Sequence, residues 1–511
     1  MIIRLRTREK TLRLEVRDDL YAAVNKALGT KDFGLYHDPK CTVPVEGISN
    51  LTDGSFVFYK DNAKSSSISS IDEVLSKKDG RIKQERDEML CQHNSRGMCD
   101  YCRPLEPWDP KCQKDAKHLS MHTYLKQNPN ILIPEYSIYK RQGSCKHPAY
   151  PEGICSKCQT PAIALSRQPF RCTDHVEFAN SQLVDNFINA WRSSGLQRFG
   201  WLIGRYEIYE NVPLGVKARV EAIYEPPQED AVDGIQLVLP DLELENVAEV
   251  CKELDMEIIG MVYTDLEASE GASVEEKRSA STFFLSSAEC YFIAQQQLAH
   301  PIHTTKKYPS SRFVTAVLTG NERGEIDIFC YQMSLQAEKL VQAGIVLPST
   351  DPTKMSLGSE ERNFVPSVVF ALENEYGVKV QHCADDYFPI DYLLVNLTHG
   401  FPEHNDALFK GDYLLPMNAS VQTLSRARDF RSFNALVALK KSKLVLAKDW
   451  KVLLQDLNNA EDARFRETES FINNFALPMS EGGRSWSCSH CTFINEDELS
   501  DSCSMCGLPK N

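Results

Sequence analysis

Twelve side chains in this sequence stand at spacings that suit one metal ion for every four of them. The first set lies in CQHNSRGMCDYC and comprises Cys91, His93, Cys99 and Cys102. The second lies in CKHPAYPEGICSKC and comprises Cys145, His147, Cys155 and Cys158. The same Cys-x-His and Cys-x-x-Cys halves recur 54 residues apart, so the pair is an internal repeat. The third set, in WSCSHCTFINEDELSDSCSMCG, is Cys488, Cys491, Cys503 and Cys506. Zinc takes four nitrogen or sulfur ligands in a tetrahedron, and a Cys-x-x-Cys knuckle offers two thiolates to one ion. Four protein ligands leave no position for water, so the expectation is three structural Zn2+ ions and no catalytic one. His118 and His122 in KHLSMHTY, and Cys172 with His175, are competing ligands for which packing or hydrogen bonding is the simpler role. The remaining cysteines (Cys41, Cys112, Cys251, Cys290, Cys330 and Cys383, with Cys172) are scattered, and most read as buried thiols.

Charge decides what such fingers can touch. The chain carries 57 basic and 71 acidic residues, a net -14, which repels nucleic acid and anionic membrane. Residues 91–160 are mildly positive, with ten Lys or Arg against six Asp or Glu, too sparse for a nucleic-acid reader and better suited to an acidic protein surface. In the last finger, residues 486–511 hold one Lys and four acids, so RNA is disfavoured there too. Thr492, Phe493 and Met505 form a small apolar head instead, similar to that of ribbon fingers that grip the aliphatic patch of folded ubiquitin.

Between the fingers, GWLIGRYE, EAIYEPPQ, IIGMVYTDL and FFLSSAE resemble the frame of an MPN-type zinc isopeptidase. Active members of that fold carry a Glu base, a His-x-His pair and a later Ser-x-x-Asp. Here the His-x-His positions read Tyr263-Thr264-Asp265, the Ser-x-x-Asp reads Ser286-Ser287-Ala288-Glu289, and Gln197 stands where the base is expected. The resemblance therefore implies a fold without its catalytic zinc; an active deubiquitinase is the alternative that these replacements count against.

The elements that position these groups follow from periodicity. Ile3, Leu5, Leu12 and Leu14 alternate with charged residues as a hairpin, a helix runs from Leu20 to Leu28, and SFVFYK (55–60) is a further strand. That order is the ubiquitin-like β-grasp pattern. Val184, Phe187, Ile188 and Trp191 mark a helix face; residues 199–204, 216–224, 257–264 and 312–320 read as strands, and 286–298 as a helix. Residues 360–478 read as largely helical, and PMSEGGRS (478–485) as a flexible linker. No apolar run exceeds that of Val368 to Leu372, far short of the ~20 residues of a spanning helix, and the amino end lacks an apolar signal block. A soluble, intracellular chain without membrane insertion is expected.

The resulting fold class is multidomain α+β: a ubiquitin-like β-grasp domain (1–76), a twin zinc-finger domain (88–178), an inactive MPN α/β domain (179–350), a helical C-terminal region (351–478), a linker (479–485) and a ubiquitin-binding zinc ribbon (486–511). This order, with RPLEPWDP (103–110) and GICSKCQ (153–159), closely resembles the nuclear protein localization protein four family. The resemblance implies a non-enzymatic adaptor, paired with ubiquitin fusion degradation protein one, that binds lysine-48-linked polyubiquitin. It further implies delivery of substrates to the valosin-containing AAA ATPase for proteasomal or ER-associated degradation. The implied location is cytoplasm and nucleus, with peripheral attachment at the endoplasmic reticulum and nuclear envelope through partners.

Overall fold

The computed structural model describes residues 152–269, 273–302, 311–358, 366–404, 407–409 and 432–442, and shorter pieces between 2 and 148. Beyond 442 it describes Trp450, Leu453, Leu454, Leu457, 486–487 and 494–495. The chain divides into two compact units, one of residues 1–79 with 302–309 and the other of 80–301 with 310–511.

In the smaller unit, β1 (Ile2–Arg6), β2 (Thr11–Glu15), β3 (Phe33–Tyr36) and β4 (Phe56–Asp61) form one sheet in the order β2-β1-β4-β3. β1 pairs with β2 antiparallel and with β4 parallel. Alternation sends Ile3, Leu5, Leu35 and Val57 to one buried face. Of the helix expected at 20–28 only Val24 is among the described residues, and it is buried. Helix α1 (Ser70–Lys77) follows the sheet.

The larger unit is built round a closed seven-stranded barrel. Its elements, in chain order, begin with β5 (His175–Phe178), α2 (Ser181–Ser194), β6 (Phe199–Tyr209), β7 (Gly215–Tyr224), α3 (Leu244–Glu253) and β8 (Glu257–Asp265). Then follow α4 (Ser287–Ala299), β9 (Val314–Gly320), β10 (Ile326–Met333), α5 (Leu335–Gln342), β11 (Val368–Glu373), β12 (Lys379–Ala384), β13 (Leu394–Gly400) and α6 (Phe433–Ser442). Round the barrel the strands run β7-β5-β13-β10-β9-β8-β6. Two glycines permit the close approach of strands: a Cβ on Gly204 would lie 1.9 Å from the Arg219 carbonyl, and one on Gly260 2.3 Å from that of Val314.

Helix α2 forms where the spacing predicts it. Asn180 caps it by accepting from the Gln182 N–H at 2.9 Å, and Gly195 ends it at a φ of 71°. Its Val184, Phe187 and Ile188 bury against Val176, Leu202, Val220 and Val262 of the barrel. A second core lies under α4 and α5, round Phe199, Met261, Phe313 and Tyr331. A third joins α3 to α6.

Two expectations fail here. Residues 366–400 are mostly strand and not largely helical: β11 and β12 pair as a hairpin, and β13 follows after one 3-10 turn at Ile390–Tyr392. The Asn374 side chain accepts from the N–H groups of Tyr376 and Val378, with Gly377 at a φ of 73°, so the turn is set locally. The run Val368-Val369-Phe370 is β-branched and aromatic, which favours a strand. The expected boundaries at 178 and 350 also cut the barrel, because β13 pairs parallel with β5 on one side and antiparallel with β10 on the other. Of the scattered cysteines, Cys172, Cys251, Cys290 and Cys330 are buried and Cys383 is exposed; Cys41 and Cys112 lie outside the described residues.

Candidate metal centres and a closed cation cleft

The structure brings both halves of each Cys/His repeat together. The ligand atoms of Cys91, His93, Cys99 and Cys102 all lie within 4.8 Å of one another, and so do those of Cys145, His147, Cys155 and Cys158. In the first cluster Cys99 Sγ is 3.6 Å from Cys91 Sγ and 3.8 Å from Cys102 Sγ, with His93 Nε2 3.1 Å from Cys102 Sγ. In the second, Cys145 Sγ is 3.8 Å from Cys155 Sγ and 3.3 Å from Cys158 Sγ, with His147 Nε2 3.4 Å from Cys158 Sγ. A tetrahedral ion with bonds of ~2.3 Å to sulfur sets such atoms about 3.8 Å apart, so the donor sets fit one.

Local hydrogen bonds prepare each cluster. The knuckle turns through Cys102 N–H to the Cys99 carbonyl at 3.1 Å and Cys158 N–H to the Cys155 carbonyl at 2.9 Å. Each imidazole Nδ1 meets a carbonyl, His93 that of Asn94 at 2.8 Å and His147 that of Pro148 at 2.7 Å. A carbonyl requires Nδ1 to carry the proton, which leaves Nε2 bare toward the sulfurs, as a metal ligand needs. Crowding then argues for a cation. The contact with Cys158, then burial, pushes the Cys145 thiol up to about 11, whereas the Tyr101 backbone N–H draws Cys99 down to about 7. Three thiolates this close repel unless a cation sits between them.

The competing ligands do something else. Among the described residues neither His118, His122, Cys172 nor His175 joins a metal group. His122 Nε2 lies 3.5 Å from Arg312 Nη2, and Cys172 is buried. His175 Nδ1 is 2.8 Å from Thr398 Oγ1 and its ring stacks on Tyr209. Burial holds both His118 and His175 down to about 4, so they stay neutral at physiological pH. Cys488, Cys491, Cys503 and Cys506, with Thr492, Phe493 and Met505, lie outside the described residues. Of this stretch the described residues are Trp486–Ser487, which pairs antiparallel with Ile494–Asn495.

The cleft at the end of β8 holds a cation of its own. Arg278, 7% exposed, donates from Nε to Asp265 Oδ2 at 2.7 Å, from Nη1 to Glu289 Oε2 at 3.0 Å and from Nη2 to Glu289 Oε1 at 2.6 Å. Its Nη1 also reaches the Phe284 carbonyl at 2.9 Å, and its Cζ lies 5.8 Å from the Tyr263 ring centre. Burial works to raise Glu289, but the Arg278 charge and hydrogen bonds keep its carboxyl below the ordinary value. Burial, then the Glu289 charge, raises the Tyr263 phenol well above its ordinary value, so it stays neutral.

Two sequence assignments change meaning at this point. Ser286-x-x-Glu289 is the capping box of α4: Ser286 Oγ accepts from Glu289 N–H at 3.3 Å, and Glu289 Oε2 from Ser286 N–H at 2.6 Å. Gln197 is 3% exposed; it donates to the Val232 and Leu266 carbonyls, both at 2.7 Å, and accepts from Thr264 Oγ1 at 2.8 Å and Leu266 N–H at 3.1 Å. Two donors and two acceptors are its full capacity, so it is a clamp between segments. Sequence reading missed Arg278; the S-x-x-E cap signal was available, but nothing local announces a guanidinium partner.

An open groove of about 750 Å³ lies elsewhere on this unit, between α2, the end of β7 and α6, with Phe187, Arg198, Tyr224, Pro226 and Phe433 among its walls.

A family model described as "NPL4 family" matches residues 198–465, more than half of the chain. The chain belongs to the NPL4 family. A second model, "NPL4 family, putative zinc binding region", matches 66–195 and takes in both described Cys/His clusters. The NPL4 barrel draws on both matches, since β5 and α2 fall in the second and β6 opens the first. Relatives named Nuclear protein localization protein 4 include that of Saccharomyces cerevisiae, 43% identical over 65% of this chain and 61% of its own length. That of Kluyveromyces lactis is 43% identical over 66% of this chain and 60% of its own length, so these matches span about three fifths of those two relatives. The Vanderwaltozyma polyspora protein is 36% identical over 88% of each chain.

Proposed function

We propose that this chain is a non-enzymatic adaptor that binds polyubiquitin and, with ubiquitin fusion degradation protein one, presents ubiquitinated substrates to the valosin-containing AAA ATPase. NPL4 family membership is the observation that carries the reading. The name of the relatives ties them to nuclear protein localization, and we carry that location to this chain together with the cytoplasm. In this reading residues 1–76 are the ubiquitin-like β-grasp domain, the barrel is an MPN frame, and 486–511 are a ubiquitin-binding ribbon.

Each Cys/His cluster holds Zn2+, and the ribbon holds a third ion; what the metal supplies is a rigid fold for segments too poor in apolar residues to close a core. Cys91, His93, Cys99 and Cys102 hold the first, Cys145, His147, Cys155 and Cys158 the second, and Cys488, Cys491, Cys503 and Cys506 the third. The fingers dock on the ATPase. The groove between α2 and α6, with apolar and charged side chains in its walls, would take an extended polypeptide in this reading. Isopeptidase chemistry is disfavoured because Asp265 and Glu289 face Arg278 and Gln197 has no free acceptor.

The test is a pulldown of the full chain with lysine-48-linked ubiquitin chains, ATPase and single-stranded RNA in parallel. Retention of chains and ATPase without RNA is expected. Retention of RNA alone, or failure to bind ubiquitin chains, removes the adaptor reading.

A further inference from the structure

The segment between β7 and α3 turns large apolar side chains to solvent. Val232, Val238, Leu239 and Leu242 are 67%, 44%, 78% and 81% exposed, and Leu244 at the start of α3 is exposed as well. Such side chains, gathered in residues 232–244, make a patch and not a scatter. Negative charge surrounds them. From Glu225 to Cys251 the sequence holds eight Asp or Glu and no Lys or Arg, and Asp241-Leu242-Glu243-Leu244-Glu245 alternates acid with leucine. Arg198 meets Glu225 and Asp230, Lys441 meets Glu243 and Lys440 meets Glu249, while Glu229, Asp233 and Glu245 are exposed. The backbone is held without the leucines. Gln228–Asp230 pairs antiparallel with Ile235–Leu237, Val238 N–H donates to the Pro227 carbonyl at 2.9 Å, and the Val232 carbonyl accepts from Gln197. Asp241 Oδ2 accepts from the Tyr224 hydroxyl at 2.7 Å, and its Oδ1 from Glu243 N–H at 2.9 Å, which fixes the entry to α3. A loop fixed in this way costs little further ordering when it binds.

We propose that the 232–244 loop is a docking surface for a folded protein whose aliphatic patch is ringed by Lys or Arg. Its acidic frame repels nucleic acid and anionic membrane and draws in a basic rim. Val232, Val238, Leu239 and Leu242 are not among the walls of the groove beside α2. Side chains this exposed stand out from the surface and suit a shallow patch on a folded partner, whereas an amphipathic helix is held in a groove. The partner is ubiquitin, whose folded surface has that chemistry and which the proposed function already brings to this chain. The inference rests on that reading and adds a site to it: the loop is the contact on the main body that a long chain engages beside the ribbon.

The probe is tetra-ubiquitin, titrated into the full chain and into a full chain carrying Thr492→Ala with Phe493→Ala, whose remaining binding reports the body. In that second background, Leu239→Ser with Leu242→Ser should weaken binding about tenfold, the scale of losing an interface anchor. The melting temperature should not change, because both side chains are exposed. Asp233→Asn with Glu245→Gln should weaken binding less and flatten its fall with added salt. A photo-cross-linker placed at Leu239 should join to ubiquitin. Unchanged affinity in the leucine variant overturns the inference while the adaptor reading stands. So does a cross-link to the ATPase or the heterodimer partner in place of ubiquitin, or no binding once the ribbon head is silenced. Failure of the unmodified chain to bind ubiquitin removes the adaptor reading and this inference together.

Discussion

Gln297 on α4 donates to Glu338 on α5 at 2.6 Å, and the two side chains are only 1% and 4% exposed. The Gln297 carbonyl accepts from Met333 N–H at 2.6 Å, and its amide also donates to the Met333 carbonyl at 3.1 Å. The bond thus fixes two helices to the end of β10. Burial pushes the Glu338 carboxyl up to about 8, with Gln297 opposing, so it is largely protonated in the fold at pH 7.

Glu338 gives the first prediction. A carboxyl whose folded pKa is raised binds more protons in the native state, so stability falls as pH rises from the ordinary glutamate range to about 8 and is flat above. Glu338→Gln removes that ionisation. It should stabilise the chain by an amount on the order of a few kcal/mol at pH 8, with the gain fading toward pH 4. Urea unfolding of both proteins across that range checks the sign; a gain independent of pH means that Glu338 does not titrate as described.

Restoring a carboxylate at Gln197 should harm the fold without creating activity. Two backbone carbonyls now receive its amide protons, and Gln197→Glu turns both against a negative charge. The cost is expected to be ~3 kcal/mol or more in stability. No isopeptidase turnover should appear in wild type, in Gln197→Glu, or in Tyr263→His with Asp265→His. Chelator-sensitive cleavage of a ubiquitin chain by the unmodified protein would show that the cleft is catalytic.

Elemental analysis should find three zinc ions in the full chain and two after Cys99→Ser or Cys155→Ser. Each substitution leaves three ligands in a set built for four, and metal binding supplies much of the folding free energy of so small a segment. Proteolysis near 91–102 or 145–158, respectively, should accelerate while the barrel stays intact. A variant that keeps three ions and full ATPase docking removes the role given to that finger.

Changing both Thr492 and Phe493 to alanine should abolish the contribution of the ribbon to ubiquitin binding while zinc stays bound. The target patch is small, so affinity of one ribbon for one ubiquitin is expected near ~0.1 mM. Long chains gain from a second site on the same protein, and their binding should weaken rather than vanish. Titration of the full chain with mono-ubiquitin and with tetra-ubiquitin measures both; unchanged affinity for each moves the contact away from Thr492 and Phe493.

The sequence by itself determined the features set by short-range chemistry. The Cys-x-His and Cys-x-x-Cys halves place eight ligands in two sets, because a knuckle is a local turn that needs no distant support. The period of Val184, Phe187, Ile188 and Trp191 gave α2, since one buried face suffices to mark a helix. The tertiary structure alone decided the rest. β13 joins β5 across more than 200 residues, and no periodicity carries the identity of a distant strand's partner. Arg278 meets its two carboxylates from 13 and 11 residues away through an irregular segment, where neither the 2.0 nor the 3.6 residue repeat applies. The cleft is filled by a guanidinium because folding sets the end of β8, the 277–284 segment and the start of α4 side by side, a proximity that residue types at a fixed spacing do not encode.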